Sequence, residues 1–448
     1  MAASFSEALS RQPLRSFSIV TFVVCMLVLI ADGMDAQLLG IVAPIVIEEF
    51  GVDRGTFGIA FMATLVGFGL GSWGGGWLGD RIGRRWSLAI GTVIFSAATM
   101  GASLAGDVWQ MSAWRLLSGL GFGGAYSTAI TLTGDWLPDR WRSVGVTTIS
   151  VGTPAGGTVV GASAPTLIEE FGWRGTFLAV GAGTMFLVLL IVVVLRESPS
   201  HLLAKGQSDE AHKIATKVLD GDFELAADHH ATDGAGGTIG VFHASLFRLN
   251  LGIGISFAAS AMVAYAMLNW GTTFLTTKGF PFDEASYAVS IGGMTSMAAA
   301  ILAGLLVHRF GSRAVFFAIA TGLVLTMIVL TVKMETMSDA PGADERLLVI
   351  ALYGLAAALF SAAIAGMYAV MTYAFPSACR SAGIGFGIFI ARVGAIAGSG
   401  LGGTLIDWGE GSLLPFFATL IATSALVFAA PLIIDRHVPP ASRRLAGA

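Results

Sequence analysis

The sequence predicts an all-α membrane protein, with twelve transmembrane helices in two pseudo-symmetric six-helix bundles. Composition, the spacing of apolar runs and an internal repeat all predict it. Of 448 residues, 55% are hydrophobic and 12% are charged, against about 25% charged in a soluble globular chain. A water-soluble chain of this length needs far more polar surface over its core. An ordinary cytosolic enzyme, a secreted disulfide scaffold and a disordered protein are therefore excluded. The 59 glycines fit the close packing of membrane helices.

A hydrocarbon core about 30 Å thick needs about 20 apolar residues of helix. Such runs fall at 17–44, 56–79, 86–106, 109–136, 142–168 and 173–195. The first holds Asp32 and Asp35 and has no small-residue cleavage pattern, so it is expected to stay as helix one. A polar linker over 196–248 carries Glu197, Lys205, Asp209, Glu210, Asp228, His229 and His230. Further runs follow at 249–277, 284–307, 313–333, 346–375, 381–405 and 412–434. The expected plan is a tail (1–16), a bundle (17–195), the linker, a bundle (249–434) and a tail (435–448).

Lys and Arg set the orientation. With the N-terminus inside, 18 of the 25 fall in cytoplasmic segments, among them Arg140, Arg142, Arg443 and Arg444. The outer loops hold only Arg54, Arg174, Lys278, Lys333 and Arg346. Both termini and the linker are expected to be cytoplasmic, in a multi-pass protein of the inner cell membrane.

The halves repeat. Gly76-Trp-Leu-Gly79-Asp80-Arg81-Ile-Gly83-Arg84-Arg85 closes span two, and Gly304 to Arg313 echoes it at a shift of 228. Pro138 to Gly145 is echoed by Pro376 to Gly383 at a shift of 238. Such a tandem repeat puts a central cavity between the halves near the bilayer midplane.

The string at 76–85 resembles the signature of the major facilitator superfamily. Arg115-Leu-Leu-Ser-Gly119-Leu-Gly121-Phe-Gly123 resembles that superfamily's second motif. Asp32-Gly33-Met34-Asp35, Pro44, Arg196-Glu197-Ser198-Pro199 and Arg392-Val-Gly394 narrow the likeness to the aromatic acid:proton symporter family. The resemblance covers most of the chain except the linker. It implies the major facilitator fold and import of an aromatic carboxylate, of benzoate, hydroxybenzoate or lignin-derived type. One departure is Gly271-Thr272 after Trp270, where that family often continues Leu-Pro.

A charge at a helix centre costs about 2.5–3.5 kcal/mol on insertion scales and is usually functional. Four stand out: Asp32, Asp35, Arg115 and Arg392. The aspartates share one helix face at i, i+3, and two such close carboxyls do not both ionise readily. At least one is expected to serve proton or substrate coupling; the bland alternative is a cap on helix geometry around Gly33. Arg392 can grip a carboxylate through two parallel hydrogen bonds, or pair with a helix-one aspartate in the empty protein. Arg115 either tunes the proton site or stabilises the bundle.

The expected cytoplasmic gate uses Gly76, Asp80, Arg81, Gly83, Arg84, Arg85 and Asp135. Asp80 would latch onto the start of span eleven, and Arg84 or Arg81 would pair with Asp135. Gly67, Gly71, Gly75 and Gly79 on span two and Gly394, Gly398 and Gly402 on span eleven make smooth faces. Such faces allow close, slidable contact, and the resemblance to the superfamily implies that these two spans meet. The bland reading of the arginines is that they fix topology.

Tyr126, Tyr265, Asn269 and Trp270 lie deep enough to line a cavity, although packing is the commoner role. Trp86, Trp109, Trp136, Trp141, Trp173 and Trp408 read as interfacial anchors. The dinucleotide-like Gly119 to Gly124 string lies inside an apolar helix and is rejected as such. Cys25 and Cys379 read as free thiols, and no His/Cys cluster has metal spacing. A net charge of −4 does not suit nucleic acid. The expectation is a monomeric carrier without cofactor or metal, not an enzyme, whose partners are a small organic acid, protons and the bilayer. The alternatives are a carrier for a sugar acid or other polar metabolite, an exporter, and, least favoured, a non-transporting receptor.

Overall fold

The structure, a computed structural model, describes residues 3–4, 9, 14–138, 141, 145, 148–149, 151–218, 225–226, 240–338, 341–376 and 379–440. Arg140, Arg142, Asp228, His229, His230, Arg443 and Arg444 lie outside them, as does most of the repeated string after span four.

Spans one to four are α1 (Ser16–Phe50), α2 (Arg54–Ile82), α3 (Arg84–Ala102) and α4 (Val108–Trp136). Spans five and six are the two parts of α5 (Gly152–Val194), joined at Gly172, whose φ of 66° is not helical. Two linker helices follow, α6 (Pro199–Ala204) and α7 (Ser208–Val218). Spans seven to eleven are α8 (Phe247–Thr277), α9 (Phe282–Phe310), α10 (Ser312–Thr336), α11 (Ala343–Ala374) and α12 (Arg380–Asp407). Span twelve is α13 (Leu414–Leu426) and α14 (Ala429–Ile433). The described strand pairing is one two-residue contact, Ala3–Ser4 beside Leu225–Ala226.

Helix α1 runs six residues past the expected end at 44, with Pro44 inside it. Its apolar face continues beyond the proline, where Val46 is fully buried. Among the described residues nine helices are long and apolar enough to cross a membrane. Polarity is inverted relative to a soluble protein. Arg115, Ser256 and Ser260 are wholly buried, while Val193 and Leu305 are 71% and 64% exposed. Only a surrounding apolar solvent makes that arrangement favourable. Buried hydroxyls bond back along their own helices, as Thr92 does to Leu88 and Ser260 to Ser256, which satisfies them without water.

The chain forms two compact units that cut across its halves. Unit 1 is Met1–Asp35, Ala63–Gly156 and Phe171–Gly234; unit 2 is Ala36–Met62, Gly157–Glu170 and Ala235–Ala448. In unit 1, Val28, Leu29, Leu88, Ala125, Leu132 and Trp136 form a buried apolar cluster. Unit 2 takes in the second half of α1 and the start of α2 because these pack on α8 and α12. A Cβ at Gly40 would press on the Asn269 backbone at 3.1 Å, and one at Gly58 on the Gly400 carbonyl at 2.9 Å.

The repeat is visible in backbone geometry. Gly83 and Gly311, 228 residues apart, join successive helices with φ, ψ of 103°, 151° and 83°, 152°. Only glycine adopts that region without strain.

Candidate functional site

In unit 1 the charge inside the spans is organised around Asp35 on α1, which is 2% exposed. Arg115 Nη1 donates to its Oδ2 at 3.0 Å, the Ser118 hydroxyl to the same oxygen at 2.9 Å, and the Thr99 hydroxyl to Oδ1 at 2.9 Å. Arg115 and Ser118 stand at i, i+3 on α4, so one helix face supplies both. The Arg115 guanidinium is fully buried and lies over the Phe177 ring at 4.9 Å. Its Nε and Nη2 have no hydrogen-bond partner. Removing either charge would leave the other uncompensated in a low-dielectric interior. Arg115 is therefore the counter-ion of a helix-one aspartate, and the sequence reading had not paired them.

Asp32, 7% exposed, accepts from the Thr153 hydroxyl on α5 at 3.4 Å. Between the aspartates, a Cβ on Gly33 would overlap the Thr153 carbonyl. The glycine thus lets α1 and α5 touch backbone to backbone, which accounts for its place in the Asp-Gly-Met-Asp string. Tyr126 on α4 packs edge-on to Phe68 and Phe122, each at 5.6 Å.

In unit 2, Arg392 on α12 donates from Nη1 to the Tyr265 hydroxyl on α8 at 3.0 Å. Both side chains are half-buried. A phenol oxygen that accepts from a guanidinium keeps its own O–H to donate. The pair can therefore present several N–H and O–H donors to one anion. Trp270 is fully buried, its indole N–H donating to the Ser399 carbonyl at 2.8 Å and its ring edge-on to Phe61 at 5.2 Å. Asn269 donates to the Ser399 hydroxyl at 2.8 Å. These two side chains tie α8 to α12 through a serine that the sequence reading did not single out.

At the far end of unit 1, Arg84 rather than Arg81 reaches Asp135 with an ion pair. The Arg81 guanidinium lies over Trp77 at 4.1 Å, and Lys205 donates to the Arg81 carbonyl. Arg85 donates to the Val192 carbonyl. Asp80 is exposed on the last turn of α2. Gly76 has open space where a Cβ would stand.

Glu197 caps α3 by accepting from the backbone N–H groups of Arg84 and Arg85 at 2.8 and 3.1 Å. A Cβ on Gly83 would strike that carboxylate, so the signature's third glycine makes room for the cap. The second copy uses Ser312. Its N–H donates to the Val438 carbonyl at 3.0 Å, and its hydroxyl accepts from the Val438 N–H at 2.9 Å.

The glycine faces do not meet as expected. Gly67, Gly71 and Gly75 of α2 lie against Leu116, Leu120 and Gly124 of α4; Gly394 and Gly398 of α12 lie against Ala258 and Met262 of α8. Each stripe packs a neighbour in its own unit. The contact between α2 and α12 uses other glycines, Gly55, Gly58, Gly400 and Gly403. Four-residue spacing identifies a face that allows close approach, but it carries no information on which helix fills it.

The chain is 25% identical to the 4-hydroxybenzoate transporter PcaK of Pseudomonas aeruginosa over 95% of its length and 94% of the relative's. It is 26% identical to the gallate transporter of Pseudomonas putida, over 96% and 94%. It is 27% identical to the gentisate transporter of Corynebacterium glutamicum, over 91% and 86%. Among solved structures it resembles a D-xylose-proton symporter, with a TM-score of 0.73, 17% identity and 94% and 99% coverage. At that identity the likeness concerns the fold alone. The sequence profile of the Major Facilitator Superfamily matches residues 25–338, which takes in the Asp35–Arg115 pair, the charged loop after α2 and the start of the second half. The chain is a multi-pass membrane protein that belongs to the Major Facilitator Superfamily.

Proposed function

We propose that the protein is a secondary transporter that imports an aromatic carboxylate together with protons, by alternating access. The observation that carries this reading is the ionisable chemistry held inside apolar helices. A carboxylate locked to an arginine sits in unit 1, and an arginine braced by a tyrosine sits in unit 2. Arg392 and the Tyr265 O–H together suit a planar carboxylate. Proton uptake on Asp35 removes the charge that holds Arg115 and two hydroxyls, loosening α1 from α3 and α4. Proton occupancy thereby biases helix position, which is what coupling requires. Asp32, three residues away on the same helix, is the second carboxyl of the proton site.

The substrate class rests on the relatives, named as carriers of hydroxybenzoate, gallate and gentisate, which align along more than four-fifths of both chains. Trp270 and Asn269 act within unit 2 by holding α8 on α12, and within unit 1 Tyr126 contributes to an aromatic cluster with Phe68 and Phe122. The Arg84–Asp135 pair and the Glu197 cap brace the cytoplasmic gate that Gly76, Asp80, Arg81, Gly83 and Arg85 complete. The Lys and Arg excess supports a cytoplasmic side for both termini and the linker, in the inner membrane. The carrier works as a monomer, without catalysis, a cofactor or a metal.

Thermal stabilisation of the purified protein by 4-hydroxybenzoate, gallate and gentisate, each against its carboxamide, tests the anion site. Acids should stabilise and amides should not. Arg392→Ala should abolish the shift, and Tyr265→Phe should weaken binding about fivefold. Equal stabilisation by acid and amide, or an unchanged Arg392→Ala protein, would contradict the assignment.

A further inference from the structure

Unit 2 contains a seam of close glycine contacts that is closed at one end by an ion pair between helix termini. On one side are residues 36–62, the second half of α1 and the start of α2; on the other are α8 and α12. Asp407 is the last residue of α12. At the C-terminus of its own helix a carboxylate is disfavoured by the peptide dipoles. It is turned instead onto the first turn of α2. Its Oδ2 accepts from the Gly55 backbone N–H at 3.1 Å, and its Oδ1 from Arg54 Nη1 at 3.0 Å. Arg54 also donates to the Thr277 hydroxyl at the end of α8, at 3.3 Å. The Asp407–Arg54 pair thus gathers the ends of three helices.

Beneath it the backbones touch. A Cβ on Gly403 would overlap the Arg54 carbonyl, one on Gly55 would stand 2.7 Å from Thr404 Oγ1, and one on Gly58 would stand 2.9 Å from the Gly400 carbonyl. Residues 157–170 join unit 2 in the same manner. The Ser286 hydroxyl donates to the Gly161 carbonyl and the Ser290 hydroxyl to the Thr158 carbonyl, both at 2.8 Å. These two seams rest mainly on glycine backbones, serine hydroxyls and one ion pair that is about 30% exposed. Small residues let the backbones approach closely. Deeper in the first seam, the Phe61–Trp270 ring contact and Met62 against Gly400 add apolar packing. A partly solvated ion pair at its end can exchange its partners for water.

We infer that Asp407 and Arg54 form the latch of a gate that opens and closes at the α1–α2 turn, and that their pairing sets how often that mouth opens. The inference rests on the transport reading for its purpose, though not for its geometry. With the N-terminus cytoplasmic, the α1–α2 turn, and so this mouth, faces outward. Asp407 and Arg54 are then positioning residues of the transport cycle. They touch no substrate, and they govern the step in which the outer mouth reopens.

The test places spin labels at Glu48→Cys and Trp408→Cys, both exposed, in the full-length protein in lipid nanodiscs, with Cys25 and Cys379 replaced by serine. Asp407→Asn should raise the population at the longer distance about fivefold, as should Arg54→Gln, and the double variant should add little to either. The same variants in proteoliposomes should lower gradient-driven accumulation of 4-hydroxybenzoate while leaving Arg392-dependent binding in place. A distance distribution that neither substitution moves would overturn the latch. If Asp407→Asn fails to fold, Arg54→Gln alone decides, because it leaves the cap on Gly55 intact. Distances that respond in a protein that accumulates no carboxylate would uphold the latch and overturn the transport reading.

Discussion

Asp35 carries more of the account than any other single residue. Three donors converge on it, and one of them is a fully buried arginine. Asp35→Asn should cost about 3–5 kcal/mol, since it strands the Arg115 charge. Asp35→Asn with Arg115→Gln should recover much of that loss, because a neutral pair strands nothing. Thermal midpoints of the two variants measure this directly. A double variant no more stable than the single would show that Arg115 is compensated elsewhere. Asp35, Arg115 and Arg392 were legible in the sequence because a charge inside an apolar run is costly and is kept for function or for a buried pair. Their partners were not: Thr99, Ser118 and Ser399 are unremarkable residues whose roles come from the helices packed against them.

At the scale of elements, helix ends divide between capping and gating. Asp53 precedes α2 and accepts from the Thr56 N–H at 2.7 Å and the Thr56 hydroxyl at 2.6 Å. Those bonds hold its carboxyl below the usual range. A depressed folded-state value means the stabilisation is fully present above the unfolded value of about 3.9 and is lost as pH falls through the folded one. Asp53→Ala should therefore cost about 1 kcal/mol at pH 7 and at pH 5, and less at about pH 2, as protonation of the carboxylate sets in. Denaturation at these three pH values checks the sign. The Arg54–Asp407 pair could not be read from sequence in this way. Its members lie 353 residues apart, at span ends where charge is ordinary. Glycine spacing told a similar half-truth. The stripes on α2 and α12 were visible, but α4 and α8 rather than each other fill them.

For the whole molecule, low charge, twelve apolar runs and a repeat at a shift of 228 were enough to anticipate an all-helical membrane protein of two six-helix bundles, and the resemblance of the 76–85 and 115–123 motifs implied the major facilitator fold. The matching backbone at Gly83 and Gly311 is the structural trace of that repeat. The division into compact units was not anticipated, because hydropathy locates spans and says nothing of which span ends adhere. Unit 2 holds the second half of α1, a short piece of α2 and part of α5 beside the C-terminal helices. The proposed cycle joins these scales. A proton acts at Asp35 and a carboxylate at Arg392, while the two charged ends, Arg84–Asp135 and Arg54–Asp407, release in turn. Its central claim is that proton and carboxylate move together. Simultaneous recording of 4-hydroxybenzoate uptake and internal acidification in proteoliposomes tests that claim most directly. The account predicts acidification that begins with substrate addition, scales with uptake and disappears in Asp35→Asn. Uptake at an undiminished rate with no accompanying acidification, or full coupling in Asp35→Asn, would contradict it.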